Sequence, residues 1–237
     1  MDSGYKIPLL ESLKWSFQWA LAVVLRHQKT AAAYAAAGVV VGLLVSAGAG
    51  GLLALIYWLA SIPLALLTHA EVLRGPSALD AQTLGQGPGR VIGYLIDTIL
   101  IGLAAGLSAM VPIFAIVMLT GSASQEGLLV LVLAFMFFAV VVVVASRPAL
   151  RLPSRVLGQP ISWSQAWQLG KGNTVGLVLG PFLVCMPVVV IELIAQVLLP
   201  NMLIDVVTMV LLPAQVVLTC AFLSVAYGQL RRANPEL

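Results

Sequence analysis

The stretch TAAAYAAAGVVVGLLVSAGAGGLLALIYWLASIPLALLT, Thr30 to Thr68, decides the fold. It holds no charged residue and is nearly double the roughly 20 residues an apolar helix needs to cross a bilayer. Its natural break is SAGAGG, residues 46–51, where glycines and small residues crowd together. The reading is a hairpin, with a first span near 30–47 and a second near 50–68, joined by a very tight turn.

The rest of the chain has the same character. Of 237 residues, 61% are hydrophobic and only 9% charged, whereas a soluble domain carries about 25% charged residues. Too few polar groups are present to cover a water-facing surface, so the solvent must be a bilayer. Further spans are expected near 91–119, 128–146, 174–199 and 206–227. The fold class is therefore all-α and integral to the membrane, with six transmembrane helices and amphipathic interfacial helices. Residues 1–29 form an amphipathic segment, 30–227 the transmembrane domain and 228–237 a tail. The N-terminal segment is read as retained, since it opens with an acid and lacks a basic region before a short apolar core. Within residues 8–26, Lys14, Ser16 and Gln18 alternate with Leu13, Trp15, Phe17 and Trp19, which predicts a helix on the membrane surface, anchored by Trp15 and Trp19.

The basic residues orient the bundle. All twelve fall in four segments: Lys6, Lys14, Arg26 and Lys29; Arg74 and Arg90; Arg147, Arg151, Arg155 and Lys171; Arg231 and Arg232. Six spans put all four segments on one side, and the positive-inside rule makes that side cytoplasmic, with both termini there. The net charge of +3 is thus an orientation signal and no footprint of nucleic-acid binding.

Small residues four apart let helices approach closely in lipid. The pairs Gly38 and Gly42, Gly102 and Gly106, and Gly176 and Gly180 sit in the three outward-running spans. They suggest either a three-hairpin repeat or ordinary tight packing.

The most distinctive segment is RPALRLPSRVLGQPISWSQAWQLGKGN, residues 147–173. Pro148 and Pro153 interrupt a regular helix. Arg147, Arg151 and Arg155 recur every four residues and share a face if the segment is helical. Arginine forks suit phosphate, so these three and Lys171 are expected to contact anionic headgroups. Ser162 and Gln165 match a capping box, which starts a short helix with Trp163 and Trp167 as interfacial anchors. Gly170 and Gly172 end it.

This segment resembles the signature of bacterial six-span proteins related to the membrane domain found beside glycerophosphodiester phosphodiesterases and to the YciC-type membrane proteins. The matching positions are Arg147, Leu152, Pro153, Gly158, Ser162, Ala166, Trp167, Lys171, Gly172 and Asn173, with His69 and Arg74 at the exit of the second span. The resemblance implies a bacterial inner-membrane location and carries no agreed activity.

Among ionisable groups, Glu192 stands inside the fifth span with Gln196 one turn on as a possible partner. An acid at that depth is either functional or a neutral structural group. Asp97 is expected to pair with Arg90, Arg147 or Arg151, and Asp205 to cap the sixth span. His27 and His69 read as neither ligands nor catalysts. Cys185 and Cys220 read as small apolar core residues. Pro112, Pro181, Pro187 and Pro213 lie within spans, where they serve either a transport site or simple kinks. No metal-ligand spacing, phosphate loop or nucleophile elbow occurs, so neither catalysis nor a cofactor is expected. Two functions remain. One is a non-catalytic, membrane-organising or accessory subunit that contacts anionic lipid and associates with another membrane protein or with itself. The other is a small-solute or lipid transporter using Glu192.

Overall fold

The computed structural model describes residues 5–75, 89–103 and 144–236. These residues are helical throughout and include no strand. The order is α1 (Leu9–Arg26), α2 (Gln28–Leu44), α3 (Gly50–Ala60), α4 (Ile62–Arg74), α5 (89–103), α6 (Arg151–Val156), α7 (Trp163–Leu169), α8 (Thr174–Leu198) and α9 (Asn201–Ala233). Among the described residues, four stretches are long and apolar enough to cross a membrane: Gln28–Gly48, Gly50–Arg74, Thr174–Leu198 and Asn201–Ala233. Most of the expected third and fourth spans, together with Gly106 and Pro112, lies outside the described residues.

The hairpin forms as its composition predicts. A wide helical turn at Val45–Ala49 ends α2, and Gly48 (φ 95°) and Gly50 (φ 76°) reverse the chain in the left-handed region that glycine enters at no steric cost. Two tyrosines then zip the hairpin. Tyr34 Oη donates to the Ala60 carbonyl and Tyr57 Oη to the Tyr34 carbonyl, both at 2.7 Å. The second arm runs six residues past the expected Thr68, because Thr68, His69 and Glu71 are all buried against protein.

Helix α9 is the mast of the bundle and packs against α1, α2, α4 and α8. With 33 residues it is about 50 Å long, against a hydrocarbon core of about 30 Å. It overruns the expected 206–227 at both ends. The supposed link at 200–205 is helical from Asn201, leaving only Leu199 and Pro200 between α8 and α9. Pro200, with no side-chain cap, precedes the first turn, so Asp205 lies inside the helix and does not cap it. The supposed tail begins inside α9, because Tyr227 and Leu230 are buried among Leu150, Ile161 and Leu169.

Glycine decides two of the contacts with α9. A Cβ on Gly42 would lie 2.5 Å from Val206 Cα, and one on Gly38 would lie 2.7 Å from the Met209 carbonyl oxygen, so backbone meets backbone there. A Cβ on Gly180 would overlap the Phe222 ring at 1.8 Å. Among the described residues, nothing lies within 4 Å of a Cβ placed on Gly102, and Gly176 meets only Ile7 at an ordinary 3.8 Å.

Helix α1 turns its small and polar residues inward. Ser12, Ser16, Ala20 and Val23 are buried, whereas Leu10, Trp15, Phe17, Leu21 and Leu25 are exposed. Ser16 Oγ donates to the Ser12 carbonyl at 2.5 Å, and Ser12 Oγ donates to Gln229 Oε1 at 3.0 Å. A helix that faces protein with serine and its surroundings with leucine suits contact with lipid.

Candidate functional site: a stitched basic end

The segments that carry the basic residues meet at one end of the bundle. Lys6 Nζ donates to the Gly172 carbonyl at 2.6 Å, and Arg74 Nη2 to the Val156 carbonyl at 3.0 Å. Asn173 ties the N-terminal segment down twice. Its Oδ1 accepts from the Ile7 amide at 2.7 Å, and its Nδ2 donates to the Tyr5 carbonyl at 2.9 Å.

Two buried acids organise this end. Glu71, on α4, has no exposed surface and accepts from Arg26 Nη1 and, at 2.5 Å, from His27 Nε2. Arg26 and His27 form the corner between α1 and α2, so Glu71 clamps that corner onto α4. Asp97, on α5, is 1% exposed and lies 3.0 Å from Arg151 Nη2 and 2.7 Å from Arg155 Nε. It fastens α5 to α6. Of the three partners expected for Asp97, only Arg151 is used; Arg155 takes the second place.

The arginine and tryptophan ladders interlock. Residues 147 and 151 are four apart, as are 163 and 167, and the two segments run past each other. The Arg151 guanidinium carbon stands 4.5 Å from the Trp163 ring centre, and that of Arg147 stands 4.7 Å from Trp167. Arg147 also donates to Thr174 Oγ1 from Nε at 2.9 Å and from Nη2 at 2.5 Å. The capping box holds as read, with Gln165 N bonded to Ser162 Oγ and Ser162 N to Gln165 Oε1.

These contacts correct the expected orientation of the arginines. Their forks are spent inward, on a carboxylate, a hydroxyl and two indole rings. The side chains of Arg151 and Arg155 are only 8% and 27% exposed. A guanidinium committed to a buried carboxylate has little left for a phosphate. Lys171 lies in the exposed turn after α7. The tryptophans keep outer surface, with Trp15, Trp163 and Trp167 all exposed.

His69 is the residue most misjudged from sequence. It is fully buried, with Nδ1 2.6 Å from Ser224 Oγ and Nε2 3.1 Å from Tyr94 Oη, and it joins α4, α5 and α9. Cys220 lies 3.9 Å beyond Tyr94 Oη. The available signal was the cluster Thr68, His69 and Glu71 at the end of an apolar run, since polar groups at membrane depth need partners.

Glu192 is half-buried and accepts from Gln215 Nε2 at 3.0 Å. Gln196, the partner expected, is exposed. Cys185 lies 3.4 Å from Thr219 Oγ1, one turn along α9. A cavity of about 260 Å³ opens nearby between α3, α4, α5 and α9, lined by Tyr94, Thr98, Gln215, Thr219 and Cys220 among others.

Comparison with family models, with curated proteins and with solved structures finds no match to this chain.

Proposed function

We propose that this is a six-span, non-catalytic protein of the bacterial inner membrane, with both termini cytoplasmic, that serves as a membrane-organising or accessory subunit in contact with anionic lipid. The resemblance of residues 147–173 to the YciC-type and phosphodiesterase-associated membrane proteins belongs to this reading. One observation carries it: each buried acid at the basic end is closed between two cationic or basic side chains. Such clusters hold helices in register and leave no open carboxylate to bind or hand on a solute. They support a rigid platform whose outward face is available to lipid and to another membrane protein. Purification in mild detergent tests this. A stoichiometric partner, or a stable homo-oligomer, is the expected result. A monomer that moves solute in liposomes overturns it.

The second reading, transport, rests on Glu192, its Gln215 partner and the adjoining 260 Å³ cavity. It requires that Glu192→Gln abolish flux in reconstituted vesicles while leaving the fold intact.

A further inference from the structure

A groove of about 450 Å³ lies between α1, the end of α4, the turn after α6 and the last turns of α9. Its size is that of a small-ligand site, which spans about 300–1,000 Å³. Trp15, Trp19, Gln159, Gln229, Arg231 and Arg232 are among its lining residues, and among the described residues no acidic one lines it.

The arginines here differ from those of the stitched clusters. Arg26, Arg151 and Arg155 all meet carboxylates, whereas among the described residues neither Arg231 nor Arg232 is in an ion pair. Arg231 Nη1 is shut off from solvent and has no hydrogen-bond partner. Single nitrogens of Arg90 and Arg151 share that condition, but neither residue lines the groove, and Arg151 already holds Asp97. Neither guanidinium has a carboxylate partner among the described residues, and an anion in the groove would supply the missing counter-charge to their accessible atoms.

The mouth of the groove says which anion. Beside the arginines, its lining includes the apolar side chains Trp15, Trp19, Val72, Leu73 and Leu157, and Trp15 is also exposed, as suits a tryptophan at headgroup depth. A ligand with a phosphate at one end and acyl chains at the other matches both surfaces. An isolated phosphate matches only the first.

We propose that this groove binds the headgroup phosphate of an anionic glycerophospholipid. Arg231 and Arg232 would take the phosphate, Gln159 and Gln229 the glycerol hydroxyls, and the apolar lining formed by Trp15, Trp19, Val72, Leu73 and Leu157 the start of the acyl chains. The proposal deepens the lipid contact in the proposed function and moves it from the 147–155 arginines to the end of α9.

The test uses the full chain in mild detergent, read by native mass spectrometry and by the apparent unfolding temperature. The ligands are phosphatidylglycerol, phosphatidylcholine and inorganic phosphate. One phosphatidylglycerol should be retained per chain and raise the unfolding temperature. The double variant Arg231→Gln/Arg232→Gln should bind it at least about tenfold more weakly, since two charge-assisted bonds are lost. Lys29→Gln, which removes one positive charge outside the groove as Arg232→Gln does within it, should bind as the parent does. If the double variant fails to fold, Arg232→Gln alone, at an exposed position, should still weaken binding severalfold. Equal retention of phosphatidylcholine overturns charge recognition. An equal effect of inorganic phosphate makes this a soluble-anion site and overturns the lipid. Undiminished binding by the arginine variants overturns the location. Loss of lipid binding with a partner still co-purifying sinks this inference alone, and loss of the partner with lipid still bound sinks only the accessory role.

Discussion

Asp97 and Arg151 are both buried, and removing Asp97 alone strands Arg151. Asp97→Asn should destabilise the protein by about 3–5 kcal/mol, the usual cost of leaving a buried charge uncompensated. Arg155, more exposed, can swing away; Arg151, 8% exposed, cannot. Replacing the pair together, Asp97→Leu with Arg151→Met, should recover most of the loss. Reversible unfolding in mixed detergent micelles measures both, and a double variant as unstable as the single one refutes the pairwise account. At Glu192, Glu192→Gln keeps the size of the side chain and an acceptor for Gln215, so stability should change by no more than about 0.5 kcal/mol in the same titration. A larger loss would mean that the carboxylate itself holds α8 to α9. At this scale the sequence marked Asp97, Arg151 and Glu192 as residues needing partners, because charge at membrane depth is conspicuous. It could not name Arg155 or Gln215, which lie 58 and 23 residues from the groups they bind. Such pairings depend on how helices cross, and a single helix's pattern does not encode that.

Glycine spacing predicts close helix contact only when a second helix is there to make it. Gly42→Ala places a methyl group against the α9 backbone, which cannot rotate away, and should cost about 1–3 kcal/mol. Gly102→Ala meets no described residue and should be neutral or slightly stabilising, because alanine is the better helix former. Unfolding titrations of the two variants should therefore separate clearly; equal losses would show that helix propensity, and not the crossing, sets the effect. The three Gly-x-x-x-Gly pairs were indistinguishable in the sequence because the motif records one side of a contact. By contrast, the 46–51 turn and the capping box of α7 were fully readable. Both are complete within a few residues, and the first needs the positive φ that glycine supplies.

Among the described residues the buried core and ion pairs concentrate at one end, and the serine contact from α1 to Gln229 ties α1 to the last turns of α9 there. If that end is cytoplasmic, cysteine labelling in intact cells has a definite outcome. In a Cys185→Ser/Cys220→Ser background, Ala47→Cys at the hairpin turn should react with a membrane-impermeant maleimide. Lys171→Cys should react only after the membrane is opened, and the reverse pattern overturns the orientation. The all-helical class with membrane-crossing helices was readable at this scale because composition is a global property. The extent of α9 was not, since its last turns look like an ordinary polar tail until the elbow segment covers them. That helix has a consequence for biosynthesis. It is translated after every helix that leans on it, so α1, α2, α4 and α8 must wait in the bilayer or the insertion machinery, with His69 and Ser12 lacking their α9 partners Ser224 and Gln229. The nascent protein should therefore be most exposed to membrane quality-control proteases just before α9 emerges from the ribosome.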